Sequence, residues 1–415
     1  MKTSFVFDHP DDAVHAVAER LAWVAESETD SPQTDSPESV PPKTVPLEKS
    51  RGRILAADLL ADRDSPASDV SAMDGYALRL EDCGRDAIPV VGSIPAGSPP
   101  PTLPVGAALK IFTGAVVPRG ADCVIRLEDV RESPSEISLR TRADALEYGA
   151  NIRRRGENLA AGQIIAKRGS RITAASMATL ANFGHCEIPV HRQVRVALIT
   201  TGDEVVPVQS VPEAYQLRNS NRCSVGAVLD QSAAVRLQEC VHVSDSLGRL
   251  RETLEAQLGT ADVIVLSGGV SMGDHDVVPE AVIAAGAEIV FHRLPIRPGK
   301  PLLAAVTPEG KLVVGLPGNP VSATINARLF VQAWLRKIAG QNDWQEPPIW
   351  VDLVEAPERT LPLHFYPMVA RDQAGNYHSV ASKGSGDLVA LGHSEGFVHI
   401  PPGEPPVGRR QLYRW

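Results

Sequence analysis

The hydrophobic positions between residues 194 and 338 alternate between short apolar runs and segments of helical spacing. The apolar runs predict buried strands at residues 194–201, 237–243, 263–266, 288–292, 301–306 and 311–316. The intervening segments predict helices at residues 224–230, 246–258, 279–285 and 320–338. Strands that alternate with helices in this way predict a doubly wound parallel sheet with helices on both faces.

The flanking segments have other patterns. Helical spacing predicts helices at residues 11–26 and 173–183, and a short one ends near Gly52. Residues 27–46 are rich in Ser, Thr, Pro and acids, so we expect a mobile linker there. Short β segments broken by Pro and Gly predict a small β domain around residues 89–139 and a small β-barrel beyond about residue 343.

Composition narrows the functional classes. The chain has 415 residues, 43% of them hydrophobic and 22% charged, which is typical of soluble protein with more than one domain. A net charge of −9 argues against general binding to nucleic acid or lipid surfaces, but it leaves room for a local cationic pocket. The five cysteines include no C-x-x-C pair, and no apolar run suits a signal peptide or a membrane span. We therefore expect a cytoplasmic protein.

A glycine-rich turn with several acids follows the apolar run at residues 263–266. Gly268 and Gly269 have no side chains, so a ligand can approach the backbone closely there. Their amides and the start of the next helix suit a phosphate, while Asp274 and Asp276 suit a Mg²⁺ ion bound with it. For a lone Gly-Gly pair, a tight turn with solvated acids is the alternative interpretation.

Charged residues recur at or just after the ends of the predicted strands. The carboxyl ends of parallel strands share one edge of the sheet, so we expect these charges to meet there. The residues concerned are Asp203, Glu204, Asp245, Asp274, Asp276, Arg297 and Lys300. Acids, cations and glycine amides together suit a Mg-complexed phosphate or another tetrahedral oxyanion.

Further candidates lie outside the predicted sheet. Arg153 and Arg154 belong to a run of three arginines, which either forms a solvated face or binds phosphate through two-pronged hydrogen bonds. Asp74 precedes a glycine and by default marks a turn. Thr113 stands beside Gly114, where its hydroxyl either contacts a ligand or shapes the bend.

Nine segments occur in an order that resembles one family, the molybdopterin molybdenumtransferases of the MoeA or gephyrin E-domain type. The segments are SAMDGYALR, FTGAVVPRGADCVI, NIRRRGEN, TGDE, NSNR, SGGVSMGDHD, IRPGKP, LPGNPVSA and KGSGDL. The resemblance implies an enzyme that inserts molybdate into adenylylated molybdopterin with Mg²⁺, releasing AMP and molybdenum cofactor. It also implies an elongated homodimer whose active site is shared between the subunits.

The resemblance further implies a division into four domains. A discontinuous linker and dimerisation domain comprises residues 1–62 and 146–188, and a β domain is inserted at residues 63–145. The doubly wound molybdopterin-binding domain comprises residues 189–340, and the C-terminal β-barrel comprises residues 341–415. The related adenylyltransferase, which makes the adenylylated pterin, is an implied candidate partner.

Roles for individual residues follow from the matched motifs. The implied catalytic residues are Asp74, Glu204, Asp276 and Lys300. The implied substrate-binding residues are Thr113, Arg153, Arg154, Gly268, Gly269, Ser271, Arg297 and Ser385. Asp245 and Asp276 would hold the metal ion, and Asp74 and Thr113 would reach the pocket of the partner subunit.

The sequence departs from the family pattern at several positions. Asn158 replaces an Asp, Arg297 replaces a Lys, and Pro279 stands where Lys is frequent. Pro367 replaces an arginine expected to face the anion, for which Arg371 is a candidate substitute. Two alternatives therefore stay open: a molybdopterin adenylyltransferase, and a diverged non-catalytic relative that binds pterin or scaffolds a partner. The sequence does not distinguish molybdate from tungstate.

Overall fold

The computed structural model describes residues 5–24, 43–140, 146–270, 277–356 and 360–415. Ser271, Asp274, Asp276 and most of the predicted linker at residues 27–46 lie outside the described residues. The chain divides into two compact units. The first unit comprises Met1–Ala57, Arg168–Met177 and Cys186–Trp415, and the second comprises Asp58–Lys167 and Ala178–His185.

The described residues of the first unit form a central six-stranded sheet. Its strands are β1 (Val194–Thr201), β2 (Val235–Val243), β3 (Val263–Ser267), β4 (Glu288–His292), β5 (Leu303–Val306) and β6 (Leu312–Leu316). Their spatial order is β2-β1-β3-β6-β5-β4. The helices between them are α1 (Ser220–Leu229), α2 (Leu247–Leu258) and α3 (Val278–Ala284). The doubly wound architecture predicted from the sequence is confirmed.

The sheet is mixed rather than wholly parallel. Strands β2, β1, β3 and β6 are parallel, but β5 runs antiparallel to both β6 and β4. The turn between β5 and β6 is too short for the helical crossover that a parallel pair requires, so the two strands form a hairpin. The predicted doubly wound sheet is therefore parallel through β2, β1, β3 and β6, and β5 adds an antiparallel strand near its edge.

Both faces of the central strand β3 are buried. Val263, Ile264, Val265 and Leu266 are all fully buried. Val263 and Val265 pack with one apolar cluster, and Ile264 and Leu266 pack with another on the opposite face. This alternation explains why the sequence of β3 is continuously apolar, as expected for a strand covered by helices on both sides.

The N-terminal helix, Pro10–Ala18, ends well before the predicted residue 26. The backbone N–H of Ala22 donates to the Gly310 carbonyl at 3.1 Å, and that of Val24 donates to the Ile338 carbonyl at 2.8 Å. These tertiary hydrogen bonds replace the ones that would have continued the helix. The spacing of apolar residues alone cannot distinguish a helix that continues to residue 26 from a chain that leaves the helix after Ala18, because Val24 is apolar and buried in both cases.

The segment after β6 is helical to Ile338, as predicted, but it is not uniform. It comprises Pro320–Asn326, a π-helical stretch at Ala327–Val331, and Gln332–Ile338. Asn319 occupies the N-cap position, yet its side chain makes no capping hydrogen bond. Asn319 therefore stands at the predicted cap position, but its side chain does not cap the helix.

Smaller elements complete the first unit. Lys43–Pro46 forms a strand that pairs with Glu187–Val190, so the last four residues of the predicted linker belong to a sheet. Leu47–Lys49 is a single 3₁₀ turn rather than a helix reaching Gly52. The remaining elements are the strands Val205–Val206, Leu217–Arg218, Ile296–Arg297 and His364–Phe365 and the helix Leu388–Gly392, while the helix Ala174–Asn182 continues into the second unit.

The C-terminal strands close into a barrel, as the sequence predicted. In the described part of the chain its strands are Ile349–Glu355, Tyr377–Ser379, Met368–Arg371, Gly396–His399 and Gly408–Arg414, in spatial order. Outside the barrel, His364–Phe365 pairs in parallel with Ile296–Arg297. This short pairing fixes the connection between β4 and β5 against the barrel.

The second unit is a β structure. Its described residues form a six-stranded sheet in the spatial order Cys123–Arg126, Gly75–Leu78, Ala108–Ile111, Ile88–Ile94, Glu136–Leu139 and Val130–Glu132. Short pairs join Val70–Ser71 to Ile152–Arg153 and Leu59–Leu60 to Ile164–Ala166, and 3₁₀ turns occur at Leu80–Gly84 and Leu127–Asp129. The strand Gly75–Leu78 was missed, because Asp74-Gly75 was interpreted as a turn.

Gly75 is required inside that strand. A Cβ atom at this position would overlap the backbone carbonyl of Ile125 on the neighbouring strand. The glycine therefore marks close approach of two backbones rather than a reversal of the chain. Among the described residues, no helix is long and apolar enough to cross a lipid bilayer.

Candidate active site at the carboxyl edge of the sheet

Adjoining cavities lie at the carboxyl ends of β1, β3 and β6. The first, called here the acidic cavity, has a volume of about 950 Å³ and is lined by Glu204, Asp245, Gly268 and Gly269 among others. The second, called here the cationic cavity, has a volume of about 780 Å³ and lies between the sheet and the barrel. Pro301, Pro317 and Asn319 line both cavities, so the two share a wall.

The two glycines after β3 form one side of the acidic cavity. Their φ angles are +107° at Gly268 and +63° at Gly269, which side chains rarely adopt. A Cβ atom on Gly268 would lie 2.6 Å from Thr201 Oγ1, at the end of β1. Glycine is therefore needed both for the backbone conformation and for the close approach of the two strand ends.

Two asparagines that sequence reasoning left without a role hold the loops of the acidic cavity together. Asn221 Nδ2 donates to Ser267 Oγ at 2.8 Å and to the Gly318 carbonyl at 2.7 Å. Asn219 caps α1 by accepting from the Arg222 N–H, and its Nδ2 donates to Thr200 Oγ1 at 2.8 Å. The capping signal of Asn219 was readable in the sequence, but its contact with β1 depends on the fold.

The predicted acids gather beside these loops. The backbone N–H of Asp245 donates to Asp203 Oδ1 at 3.2 Å, and Glu204 lines the same cavity as Asp245. Burial raises the pKa of the Asp245 carboxyl, and the negative charges of Asp203 and Glu204 raise this pKa further. Crowded carboxylates of this kind fit a divalent cation, because the cation would relieve their mutual repulsion.

The predicted metal ligands are only partly within the described chain. Asp245 lies in the acidic cavity, whereas Asp276 lies outside the described residues. In the described ranges, no group of three or more His, Cys, Asp or Glu side chains has metal-binding geometry. The pairing of Asp245 with Asp276 therefore stays a prediction.

The cationic cavity receives Arg297 and Lys300 from the connection between β4 and β5, and Ser385 lines the wall that precedes the helix Leu388–Gly392. Within the described part of the chain, neither Arg297 nor Lys300 forms an ion pair with a carboxylate. Arg297 is exposed and Lys300 is half-buried, so both charges are accessible, and two such cations lining one cavity favour an anionic ligand.

A buried asparagine supports the backbone that carries these cations. Asn326 is fully buried, and its Nδ2 donates to the Gly299 carbonyl at 3.0 Å. Any side chain at Gly299 would overlap the Asn326 amide. Sequence reasoning missed this residue, although one polar residue inside a buried helix is a signal that a hydrogen-bonding partner is nearby.

In the second unit, two residues predicted from separate motifs are in direct contact. Asp74 Oδ1 accepts hydrogen bonds from the N–H and from Oγ1 of Thr113, each at 2.8 Å. The backbone bond and then the hydroxyl bond lower the pKa of the Asp74 carboxyl. Asp74 is therefore held as a carboxylate in a fixed orientation.

The two candidate arginines of the same unit have partners within the chain. Arg153 pairs with Glu157 at 2.5 Å and also donates to Asn158 Oδ1 at 2.8 Å. Arg154 pairs with Asp69 at 2.7 Å. Their predicted contact with substrate stays a prediction, but their charges are already balanced by neighbouring acids.

Comparison with known proteins identifies the family. A model of the MoeA N-terminal region (domain I and II) matches residues 11–184, and one of a probable molybdopterin binding domain matches residues 197–337. A molybdopterin molybdenumtransferase of Synechococcus elongatus is 36% identical over 85% of this chain and 88% of that relative. The chain belongs to the MoeA family.

Two further MoeA relatives agree. A molybdopterin molybdenumtransferase of a Nostoc species is 32% identical over 86% of this chain and 84% of that relative. The solved structure of a molybdopterin biosynthesis MoeA protein from Pyrococcus horikoshii superposes with a TM-score of 0.72 at 27% identity, over 98% of both chains. The MoeA fold predicted from the sequence is confirmed.

The departures from the MoeA pattern fall in different environments. Asn158 accepts from Arg153, and Pro279 is the second residue of α3, where a missing N–H leaves no helical bond broken. Arg297 and Pro367 both line the cationic cavity.

The candidate substitute for the missing arginine was wrong. Arg371 Nε donates to Glu395 Oε2 at 2.8 Å, and its guanidinium lies over the Tyr377 ring. It does not line the cationic cavity. Arg371 lies at the opposite end of the strand Met368–Arg371 from Pro367, and pairing with Glu395 holds its guanidinium there, which the sequence could not reveal.

We predict that Gly268→Ala destabilises this MoeA protein more than Gly286→Ala. Gly286 also has a positive φ, +84°, but no atom lies within 4 Å of its would-be Cβ. Backbone strain alone costs about 1–2 kcal/mol, and the contact with Thr201 adds about 1–3 kcal/mol for Gly268. Chemical unfolding of both variants measures the difference, and equal losses would show that Thr201 yields space freely.

Proposed function

We propose that the chain is a molybdopterin molybdenumtransferase that inserts molybdate into adenylylated molybdopterin, releasing AMP and molybdenum cofactor. Membership of the MoeA family supports this activity, since relatives with that name are 36% and 32% identical over most of the chain. The observation that carries the assignment of the site is the pair of unpaired cations in a cavity that adjoins an acidic, glycine-lined one. Molybdate and the pterin nucleotide are its substrates.

The cationic cavity is proposed to hold molybdate. The Arg297 guanidinium and the Lys300 ammonium donate charged hydrogen bonds to the oxyanion, and the Ser385 hydroxyl adds a neutral one. The cavity volume of about 780 Å³ exceeds the needs of a small oxyanion. The remaining space, walled by Phe365 and Tyr366, accepts the pterin end that carries the dithiolene sulfurs.

The acidic cavity is proposed to hold the nucleotide end of the same substrate. Gly268 and Gly269 allow the phosphates to approach the backbone, and Ser271 is proposed to contact the nucleotide as well. Because the two cavities share the wall formed by Pro301, Pro317 and Asn319, one extended substrate can occupy both. In this proposed pose the phosphoanhydride, which joins the nucleotide end to the pterin end, would lie near the shared wall.

Mg²⁺ is the proposed cofactor, held by Asp245 and Asp276. When bound, the ion supplies neutralisation of phosphoanhydride charge, which favours departure of AMP. The residues of the chain do the remaining work. Glu204 and Asp74 are proposed to orient a molybdate or water oxygen that attacks a phosphorus of the anhydride, whose bond to the bridging oxygen breaks as AMP and the pterin phosphate separate. Lys300 is proposed to hold molybdate in place.

The proposed assembly is a homodimer with a shared active site. Asp74 and Thr113 of one subunit are assigned to the pocket of the other, and Arg153 and Arg154 to the same substrate. Their support is the matched motifs together with the fixed Asp74–Thr113 hydrogen bonds. The adenylyltransferase that makes the substrate is the proposed partner, and a cytoplasmic location stays a prediction from the cysteine pattern.

Removing either cation should weaken molybdate binding. Lys300→Ala and Arg297→Ala are each expected to raise the KM for molybdate roughly 10- to 100-fold, since a hydrogen bond to a charged group contributes about 1.5–3 kcal/mol. Arg371→Ala is the matched control, because that guanidinium is paired with Glu395 away from the cavity. AMP release at varied molybdate measures all three. A large effect of Arg371→Ala with none for Lys300→Ala would reverse the assignment.

Neutralising the proposed metal ligands should change the dependence on Mg²⁺. Asp245→Asn and Asp276→Asn are expected to raise the Mg²⁺ concentration for half-maximal AMP release by about tenfold or more, because each removes an anionic ligand. Asp230→Asn is the control: this exposed acid follows α1 at its far end. Unchanged Mg²⁺ dependence in both site variants would place the ion elsewhere.

Mixed dimers test whether the site is shared. At a molybdate concentration near the wild-type KM, Asp74→Asn and Lys300→Ala subunits are each expected to retain little activity alone. A mixed dimer contains one site with both native residues only if Asp74 and Lys300 come from different subunits. Co-expression with two affinity tags and assay of AMP release should then recover up to about half of the wild-type rate per dimer. No recovery would mean that each site is built within one subunit.

A further inference from the structure

The N-terminal segment at residues 5–9, called here the strap, leads away from a firmly anchored helix. Val14 and Val17 of Pro10–Ala18 are buried in the core of the first unit. Trp334 Nε1 donates to the Val14 carbonyl at 3.1 Å. Because these contacts fix the helix Pro10–Ala18 against the core, the strap that precedes the helix starts from a defined position.

Alternate residues of the strap contact the protein, as in an extended chain. The Phe7 ring meets the Phe291 ring edge-on with centroids 6.1 Å apart. The His9 ring meets the His364 ring edge-on at 4.6 Å. Val6, which precedes Phe7, is 68% exposed. Two ring contacts therefore hold the strap against β4 and against the strand that pairs with Ile296–Arg297.

The first described residue of the strap contacts Lys300, which lines the cationic cavity. The Lys300 ammonium lies over the Phe5 ring, with Nζ 5.2 Å from the ring centroid. This distance is within the range of a cation–π interaction. Over the described ranges of the chain, no carboxylate pairs with Lys300.

An aromatic ring is suited to this position for a physical reason. A carboxylate partner would neutralise the ammonium and compete with an incoming oxyanion. The face of a ring attracts the ammonium through its quadrupole, keeps the full charge, and has no acceptor to exchange for the ligand. Contact with Phe5 therefore restricts the long side chain of Lys300 without reducing its attraction for an anion.

We propose that Phe5 is a positioning residue, whose ring orients the Lys300 ammonium for molybdate in the cationic cavity. The inference rests on the proposed function of that cavity. Phe5 acts through Lys300 and does not itself bind the substrate. Restricting the lysine lowers the entropy lost on binding, so the effect belongs to the affinity for molybdate rather than to the chemical step.

The test compares Phe5→Leu, Phe5→Tyr and Val6→Ala in steady-state AMP release at varied molybdate. Phe5→Leu keeps apolar bulk but removes the ring, and it is expected to raise the KM for molybdate about two- to five-fold with kcat nearly unchanged. Phe5→Tyr keeps the ring and should behave like the wild type. Val6→Ala changes an exposed neighbour in the same strap and should have no effect.

A double-variant cycle separates positioning from simple packing. If Phe5 acts through Lys300, Phe5→Leu should have no further effect on KM in a Lys300→Ala background. An equal rise in both backgrounds, or equal values for Phe5→Leu and Phe5→Tyr, would overturn the proposal. A normal KM in Phe5→Leu with a raised KM in Lys300→Ala would overturn the role of Phe5 and leave the proposed molybdate site standing. A normal KM in Lys300→Ala would overturn the proposed site itself.

Discussion

The burial of β1 and β3 on both faces is the constraint on which the site depends. Val263–Ser267 is fully covered, and its alternate side chains pack into separate apolar clusters. A shift of one residue along the strand would exchange these two clusters and misplace every side chain, so the register is strongly specified. The positions of Thr201 and Gly268 at the strand ends are fixed as a result. The loops that follow these strands can then adopt unusual backbone conformations, such as the positive φ angles of Gly268 and Gly269, because the strand ends that anchor them are fixed in register.

Polar contacts convert that fixed edge into a site with two different halves. Asn221 ties the end of β3 to the loop after β6, and Asn326 supports the backbone of Gly299 beside the cations. Glu204 and Asp245, together with Arg218, line the cavity on one side of the shared wall, and Arg297 and Lys300 line the cavity on the other. Within the ranges that the structure describes, the acids of one cavity and the cations of the other do not pair across the shared wall. Both sets of charges therefore stay available to a ligand whose two ends differ in charge and shape.

Sequence reasoning predicted the elements with strong periodicity and failed where tertiary contacts decide. The strands β1 and β3 were predicted because continuous apolar runs have few alternatives. The N-terminal helix was predicted too long, because hydrogen bonds to distant carbonyls end it at Ala18. Candidate residues on the sheet edge followed from topology alone. The substitution by Arg371 was wrong, because the ion pair with Glu395 depends on barrel geometry that the sequence does not encode locally.

Some cations of the chain have carboxylate partners and others do not, and this difference helps to explain how the cationic cavity can lack the arginine that Pro367 replaces. Arg153 and Arg154 have carboxylate partners in the second unit, whereas Arg297 and Lys300 have none among the described residues. Arg297 is exposed and Lys300 is half-buried, so solvent screens both charges and leaves them available to an anionic ligand. Molybdate is a dianion, so under the proposed function these two cations would match its charge. Pro367 in place of an arginine would then remove a hydrogen-bond donor from the cavity and leave this match of charges unchanged.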